Sequence, residues 1–403
     1  MTAGRLRIAV LNRTFSPTAG GAERYSIALV EQLAARHDIH VFSQSMQHNW
    51  PGVTYHRVKM PMRRPRWVNQ LWFATATWWA TRKRFNPGPG TGFDVVHSHE
   101  NTWHGDVQTV HVLPVKHNLF HDRTGWRLVL RWLKVLASPR LLVYLGLEHF
   151  RYAVQPGRAV VVTSGSLLAI FNATYPVAAG MTSVITPGIT LPILPISDTD
   201  RRAARQQLGL PQGQPCILFV GNDFRKKGLS TVLDSLRVLP EQVALAVVGH
   251  SAQLPGIRQQ VQASGLSSRV FFLGSLADVS PAYHAADCLV HPTLEDTFAM
   301  VVLEAMAHGL PVVVSSTKYC GISGLLEDGV NALLLDDPRD VVALSDCLRR
   351  VLGDATLKTK LAHAARAFAE KFQWSGIAVA QEKLYHASWV ARNTDKKAKT
   401  DTR

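Results

Sequence analysis

The chain has 403 residues, 46% of them hydrophobic and 18% charged, with a formal net charge of +15. That length exceeds one ordinary core and fits two domains, while the composition excludes a disordered or fibrous chain. Four cysteines (Cys216, Cys288, Cys320 and Cys347) sit in apolar contexts without a CxxC pair. This excludes a disulfide or zinc framework and fits a reduced, cytoplasmic protein.

Residues 1–4 lead straight into a strand-like run at 6–11, with no secretory pattern between them. Residues 16–21 (SPTAGG) read as a glycine-rich turn. Residues 23–36 follow with Ile27, Leu29, Val30 and Leu33 at helical spacing. A strand, a glycine turn and a helix N-terminus make an anion site, since unpaired amides there point at a ligand. Strands are expected at 40–43 and 53–58. Residues 67–85 read as a helix rich in tryptophan (Trp67, Trp72, Trp78, Trp79), bracketed by Arg63, Arg64 and Arg66 before it and Arg82, Lys83 and Arg84 after. Residues 94–99 (DVVHSH) and 106–111 (DVQTVH) are the next strands. Of the histidines there, only His97 and His99 share a strand face by their i,i+2 spacing.

Residues 123–152 form a long helical region with a break expected at Pro139. Between Asp122 and Glu148 it carries Arg123, Arg127, Arg131, Lys134 and Arg140 and no acid, interleaved with Trp126, Leu128, Leu130, Trp132 and Leu133. Strands at 159–163 and 182–186 close a first domain, 1–187. Charge is concentrated there: residues 1–190 hold 21 Lys and Arg against 8 Asp and Glu, a balance of +13. One basic half implies that this half faces an anionic partner. Residues 159–197 lack charge, but Gly, Pro, Asn and Thr interrupt them too often for a membrane span.

A proline-rich linker is expected at 188–214, then a second domain over 215–373. Strands at 217–221, 244–248, 270–273 and 288–292 alternate with helical segments, the α/β pattern. Phe219–Gly228 reads FVGNDFRKKG, a strand and glycine turn followed by three cations. Residues 288–316 read as strand, helix and strand, with Thr297 as the expected N-cap and Gly309 past the helix end. The loop before that helix carries Glu295 and Asp296. Glu304 lies mid-helix among apolar residues, where an ionised carboxylate is costly unless satisfied. Helices at 338–352, 355–372 and 374–392 follow, and 393–403 is expected to be disordered.

The stretch Glu304–Val313 (EAMAHGLPVV), with Asp296 eight positions before Glu304, resembles the signature of retaining family 4 glycosyltransferases. The resemblance extends over nearly the whole chain. It implies a GT-B fold: two Rossmann-like α/β domains facing across a cleft, with the helix at 374–392 crossing back to the first. It further implies that Gly20 and Gly21 lie against a donor diphosphate and sugar, and that Gly221 opens the phosphate loop. Lys227 would grip the diphosphate with either Arg225 or Lys226, Arg225 being the better fork. The amides of Ala299, Met300 and Val301 would face the same group, Glu304 would accept the ribose hydroxyls, and Asp296 and His111 would contact the transferred sugar. Gly20–Arg24 and residues 138–150 (SPRLLVYLGLEHF) are most similar to the lipopolysaccharide core glucosyltransferase I group.

That resemblance implies transfer of a hexose from a nucleoside diphosphate sugar, a UDP-sugar by preference, to a cell-surface glycan precursor. No metal is expected, because no DxD motif occurs in a matching loop and Arg and Lys supply the electrostatics. The tryptophan- and arginine-rich segments of the basic half suit an anionic bilayer interface, placing the protein on the inner face of the cytoplasmic membrane. A nucleotide-sugar 2-epimerase shares fold and donor and is the nearest alternative; a basic nucleic-acid- or membrane-binding protein without catalysis is the alternative of another class. No GxGxxG follows either first strand, which argues against a dehydrogenase.

Overall fold

The computed structural model describes residues 4–17, 20–62, 64–82, 92–193 and 196–401. It divides into two compact units, 1–187 with 374–403, and 188–373. Both are α/β, as expected. The first holds a parallel sheet of β1 (Arg7–Leu11), β2 (Asp38–Ser43), β3 (Val53–Arg57), β4 (Val95–Ser98), β5 (Val107–Val110), β6 (Ala159–Val162) and β7 (Thr182–Val184). Their spatial order is β3-β2-β1-β4-β5-β6-β7. The second unit repeats the scheme with β8 (Cys216–Val220), β9 (Ala244–Val248), β10 (Val270–Gly274), β11 (Cys288–His291), β12 (Val312–Ser315) and β13 (Leu333–Leu335), ordered β10-β9-β8-β11-β12-β13. In both sheets the order reverses beside the first strand, and ligands gather outside the carboxyl ends of strands at such a switch point.

The β-branched runs explain these sheets. A parallel strand covered on both faces must be apolar at every position. In the second unit Leu218, Val220, Leu289, Val312 and Val314 enter one core layer. Ile217, Phe219, Val290 and Val313 enter the other. Each fully buried Val, Leu, Ile or Phe contributes about 1.5–3 kcal/mol, so these short strands carry much of the unit's stability.

The helices used below are α1 (Gly21–Leu33), α2 (Arg66–Thr81), α3 (Gly125–Leu136), α4 (Pro139–Arg151), α5 (Met300–Ala307) and α6 (Trp374–Asp401). The break expected at Pro139 is present, with that proline opening α4, where its missing N–H costs nothing. Arg63, Lys83 and Arg84, and the end of the helix expected at 67–85, lie outside the described residues. The tail is a correction: from Asn393 to Asp401 it continues α6 as helix instead of being disordered. The stretch expected as a linker belongs to the second unit and includes a helix at Asp198–Gln207, which a Ser197–Asp200 capping box starts.

α6 packs on α1 and β4 of the first unit. Tyr385 Oη lies 2.6 Å from His97 Nδ1, Trp389 Nε1 donates to Asp94 at 3.1 Å, and Arg392 donates to Asp106 at 2.8 Å. Among the described residues no helix is long and apolar enough to cross a membrane.

Candidate active site

In the second unit, β8 ends at Val220 and the chain turns through Gly221 into the cationic loop. Gly228 closes that loop with φ of +79°, and a Cβ there would lie 2.0 Å from the Pro292 carbonyl oxygen. Only glycine fits, so the loop can lie against the end of β11. The Lys226 carbonyl then accepts from the Leu294 amide at 2.8 Å, which joins the cationic loop to the acidic one.

Two ion pairs cross that junction. Lys226 Nζ meets Glu295 Oε1 at 2.6 Å on the exposed side. Lys227 Nζ meets Asp296 Oδ2 at 2.5 Å in a more enclosed position. Arg225 is exposed and makes no ion pair among the described residues, so of the two candidate partners of Lys227 it is the one left available. Gly221 gives the Lys227 stem room, since a Cβ at 221 would lie 3.0 Å from Lys227 Cγ.

Asp296 is engaged on both oxygens. Oδ1 accepts the amides of Phe298 at 3.2 Å and Ala299 at 2.8 Å. Oδ2 faces Lys227, and His291 Nε2 at 3.3 Å. Burial pushes this carboxyl up, but the His291 hydrogen bond and the Lys227 charge outweigh it and hold the group well below the usual carboxylate range. The same burial keeps His291 neutral, so its Nε2 carries the proton it donates. The expected start of the following helix is corrected here. The N-cap position is Ala299, without a side-chain cap, in place of the expected Thr297, and α5 starts at Met300. Asp296, expected to contact the transferred sugar, here meets a lysine, a histidine and two amides.

Ala299, just before α5, is held at φ of +70°, a region costly for a residue with a Cβ. Its amide is engaged by Asp296. Those of Met300 and Val301 are among the first-turn amides that a helix cannot bond internally. Glu304, one turn further, is 5% exposed and accepts from Tyr283 Oη at 2.7 Å. Tyr283 stacks on His308 at 5.0 Å, and His308 in turn bonds His284 at 3.0 Å. This partnering resolves how a carboxylate sits in an apolar helix. His291 and Tyr283 were missed from sequence. His291 left one signal, its place at the end of β11; Tyr283, 21 residues from Glu304, left none.

The remaining candidates belong to the first unit, at the carboxyl ends of its strands. Gly20 precedes α1 with extended backbone and Gly21 opens it, with open space where a Cβ would stand. One turn on, buried Tyr25 meets His111 edge-on at 5.1 Å and Trp374 at 5.4 Å. His111 Nε2 lies 2.9 Å from His99 Nδ1, and the His99 ring sits 4.2 Å from that of His97. Burial, then the Arg151 charge, pushes His111 down to about 3, so it is neutral at physiological pH. His104, by contrast, stands apart from this row.

Comparison with known proteins agrees with this architecture. Residues 19–191 match the model of Glycosyltransferase Family 4, and residues 200–368 that of Glycosyl transferases group 1. A D-inositol 3-phosphate glycosyltransferase of Xylanimonas cellulosilytica is 33% identical over 50% of this chain and 50% of its own. The lipopolysaccharide glucosyltransferase WaaG of Escherichia coli is 28% identical over 56% of this chain and 62% of its own. The chain thus spans about half to three fifths of the length of these curated relatives. The crystal structure of WaaG, a glycosyltransferase involved in lipopolysaccharide biosynthesis, superposes with a TM-score of 0.77 at 22% identity, over 93% of this chain and 98% of that one. Anabaena HepE in complex with UDP and glucose gives 0.72 at 22%, over 94% and 99%. These likenesses identify the fold as GT-B. The chain belongs to the glycosyltransferases, with a Family 4 domain in its first half and a group 1 domain in its second.

Proposed function

We propose that the chain transfers a hexose, with retention of anomeric configuration, from a nucleoside diphosphate sugar to a bacterial cell-surface glycan precursor such as lipopolysaccharide core. The observation that carries this reading is the cationic loop of the second unit, with Lys227 oriented by Asp296 and the exposed Arg225, which makes no ion pair among the described residues, beside it. Breaking the bond to a diphosphate adds negative charge to the leaving group. Preorganised cations aimed there lower the barrier, a single donor being worth about 2.7–4 kcal/mol in comparable sites. Arg225 and Lys227 take that role, joined by the amides of Met300 and Val301. No metal is needed in this scheme. Glu304 exchanges its Tyr283 bond for the ribose hydroxyls, and His111, neutral and therefore both donor and acceptor, positions the sugar. A UDP-sugar is the favoured donor, since HepE, of similar fold, binds UDP and glucose.

Attachment to an anionic membrane surface belongs to the same reading. α3 exposes Trp126, Val129, Leu130, Trp132, Leu133 and Leu136 together with the cations Arg127 and Lys134, with Arg131 half-buried beside them. Apolar side chains that enter the interface while Arg and Lys meet anionic headgroups make an in-plane anchor, at about 1 kcal/mol per cation. On this reading the protein works at the cytoplasmic face of the membrane that carries its acceptor.

A second acceptor reading, an inositol phosphate, is favoured by the higher identity to the Xylanimonas enzyme. Thermal-shift panels with UDP, GDP and ADP test the donor site: UDP is expected to raise the melting temperature, and Glu304→Ala to abolish the rise. Turnover of UDP-glucose with heptose-containing core oligosaccharide against inositol phosphate separates the acceptors. An epimerised donor formed without any acceptor would refute transfer.

A further inference from the structure

Three imidazoles run in a row past the carboxyl ends of β4 and β5. His97 lies in β4, His99 follows its last residue, and His111 follows the last residue of β5. His97 and His99 share a face, as their i,i+2 spacing implies, with ring centres 4.2 Å apart. The His99 and His111 rings stack at 5.2 Å and 16°. Tyr25 of α1 packs against both, 5.8 Å from His99 and 5.1 Å from His111. One hydrogen bond joins the stacked pair, between His99 Nδ1 and His111 Nε2 at 2.9 Å.

The direction of that bond follows from the groups around it. Both nitrogens of His97 are taken, Nδ1 by Tyr385 Oη at 2.6 Å and Nε2 by Thr109 Oγ1 at 2.7 Å. His97 therefore has nothing left for His99. His99 Nε2 is buried and has no hydrogen-bond partner among the described residues. Burial, reinforced by His97, His111 and Arg151 nearby, keeps His99 neutral, and His111 is neutral as well. Each ring then carries one proton, which leaves two arrangements. If His111 donates, the proton of His99 sits on Nε2, an N–H sealed in the interior without an acceptor. If His99 donates from Nδ1, its Nε2 is a bare lone pair instead. A buried N–H with no acceptor is the rarer defect, so His99 is the donor. His111 Nε2 is then the acceptor and the His111 proton lies on Nδ1, because the bond made by one ring nitrogen decides the state of the other.

We propose that His99 is a positioning residue for glycosyl transfer: by donating to His111 Nε2 it fixes the ring and tautomer of His111, which then offers a sugar oxygen the N–H of Nδ1. The inference rests on the reading of His111 as a sugar contact and adds what that ring presents. A neutral imidazole both donates and accepts. Here the acceptor is spent on His99, and the donor is what remains for a hydroxyl. Rotating the ring would break the His99 bond, so the two histidines act as one unit.

Nitrogen NMR of the full chain with 15N-labelled histidine tests the tautomer directly, with His111 assigned by the signals lost in His111→Ala. At neutral pH, His111 Nε2 is expected at the shift of a bare imidazole nitrogen and Nδ1 at that of a protonated one. The reverse assignment overturns the proposal. Calorimetric titration with UDP and with UDP-glucose reads the consequence, since on this reading only the sugar meets His111. His99→Leu is expected to weaken UDP-glucose by about threefold to tenfold and leave UDP unchanged. His99→Asn, whose side-chain amide stands where Nδ1 stood, is expected to restore most of that loss. Equal loss in both variants overturns the proposal and leaves His99 a packing role. So does UDP-glucose binding that falls in His111→Ala but is unaltered in His99→Leu, an outcome that keeps His111 as a sugar contact. UDP-glucose binding indifferent to His111→Ala would instead overturn the reading of His111 itself, and the inference with it.

Discussion

Asp296 and Lys227 meet at 2.5 Å in an enclosed corner, and that contact fixes the position of the ammonium. Because the carboxyl is held below its unfolded value of about 3.9, the unfolded chain binds the extra proton on acidification. The stability from this pair is therefore present above about pH 4 and lost as pH falls below it. Asp296→Asn is expected to destabilise fully at pH 7 and progressively less towards pH 3, read from urea midpoints. A difference that grows on acidification would contradict the assignment. Ala299, left-handed at +70°, is expected to tolerate glycine, while Ala299→Val costs about 2 kcal/mol or more, seen as a lowered melting temperature, because a β-branched chain is strained there. Lys227 and Glu304 stood out in the sequence as candidates, since a cation beside a strand-end glycine and a carboxylate inside an apolar helix each break a local rule. The contacts of Asp296 were not legible: which amides and cations a loop carboxylate meets depends on backbone angles that composition does not reveal.

At the scale of elements, β4 and β5 carry four histidines on or beside them whose ionisation burial opposes. His97, His104 and His111 are pushed to about 3 and His99 well below its ordinary value. Their unfolded value is about 6.5, so the unfolded chain takes up protons that the folded one refuses, and stability falls as pH drops through that range. The melting temperature is expected to fall steadily from pH 7 to pH 4.5, and less steeply in His99→Gln; a flat profile would show that the histidines are hydrated instead. On α3 the double variant Trp126→Glu, Leu133→Glu is expected to keep the melting temperature within about 1 °C, since both side chains are exposed, yet to lose flotation with anionic liposomes at low salt. Retained flotation would remove α3 as the anchor. The break before Pro139 and the amphipathic pattern of α3 could be read from spacing. The helical continuation of α6 past Asn393 could not, because a polar sequence looks alike in a solvated helix and a disordered tail.

At the scale of the whole molecule, the β-branched runs and glycine turns gave away two α/β units. The strand order, with its reversal beside β1 and beside β8, is what makes each unit a nucleotide-type sheet. Pairing partners are set by long-range packing, so that order came into view only with the fold. The return of the chain to the first unit through α6 rests on single contacts such as Tyr385 to His97, 288 residues apart in sequence. The cations proposed to hold the donor, the amides of α5 and Glu304 all belong to the second unit, so its grip on a nucleoside diphosphate is the central claim. Calorimetric titration of UDP into the wild type, Lys227→Ala and Glu304→Ala measures it most directly. Binding at about one per chain, weakened by about tenfold or more in each variant, is the expected result; equal affinity in all three would contradict it.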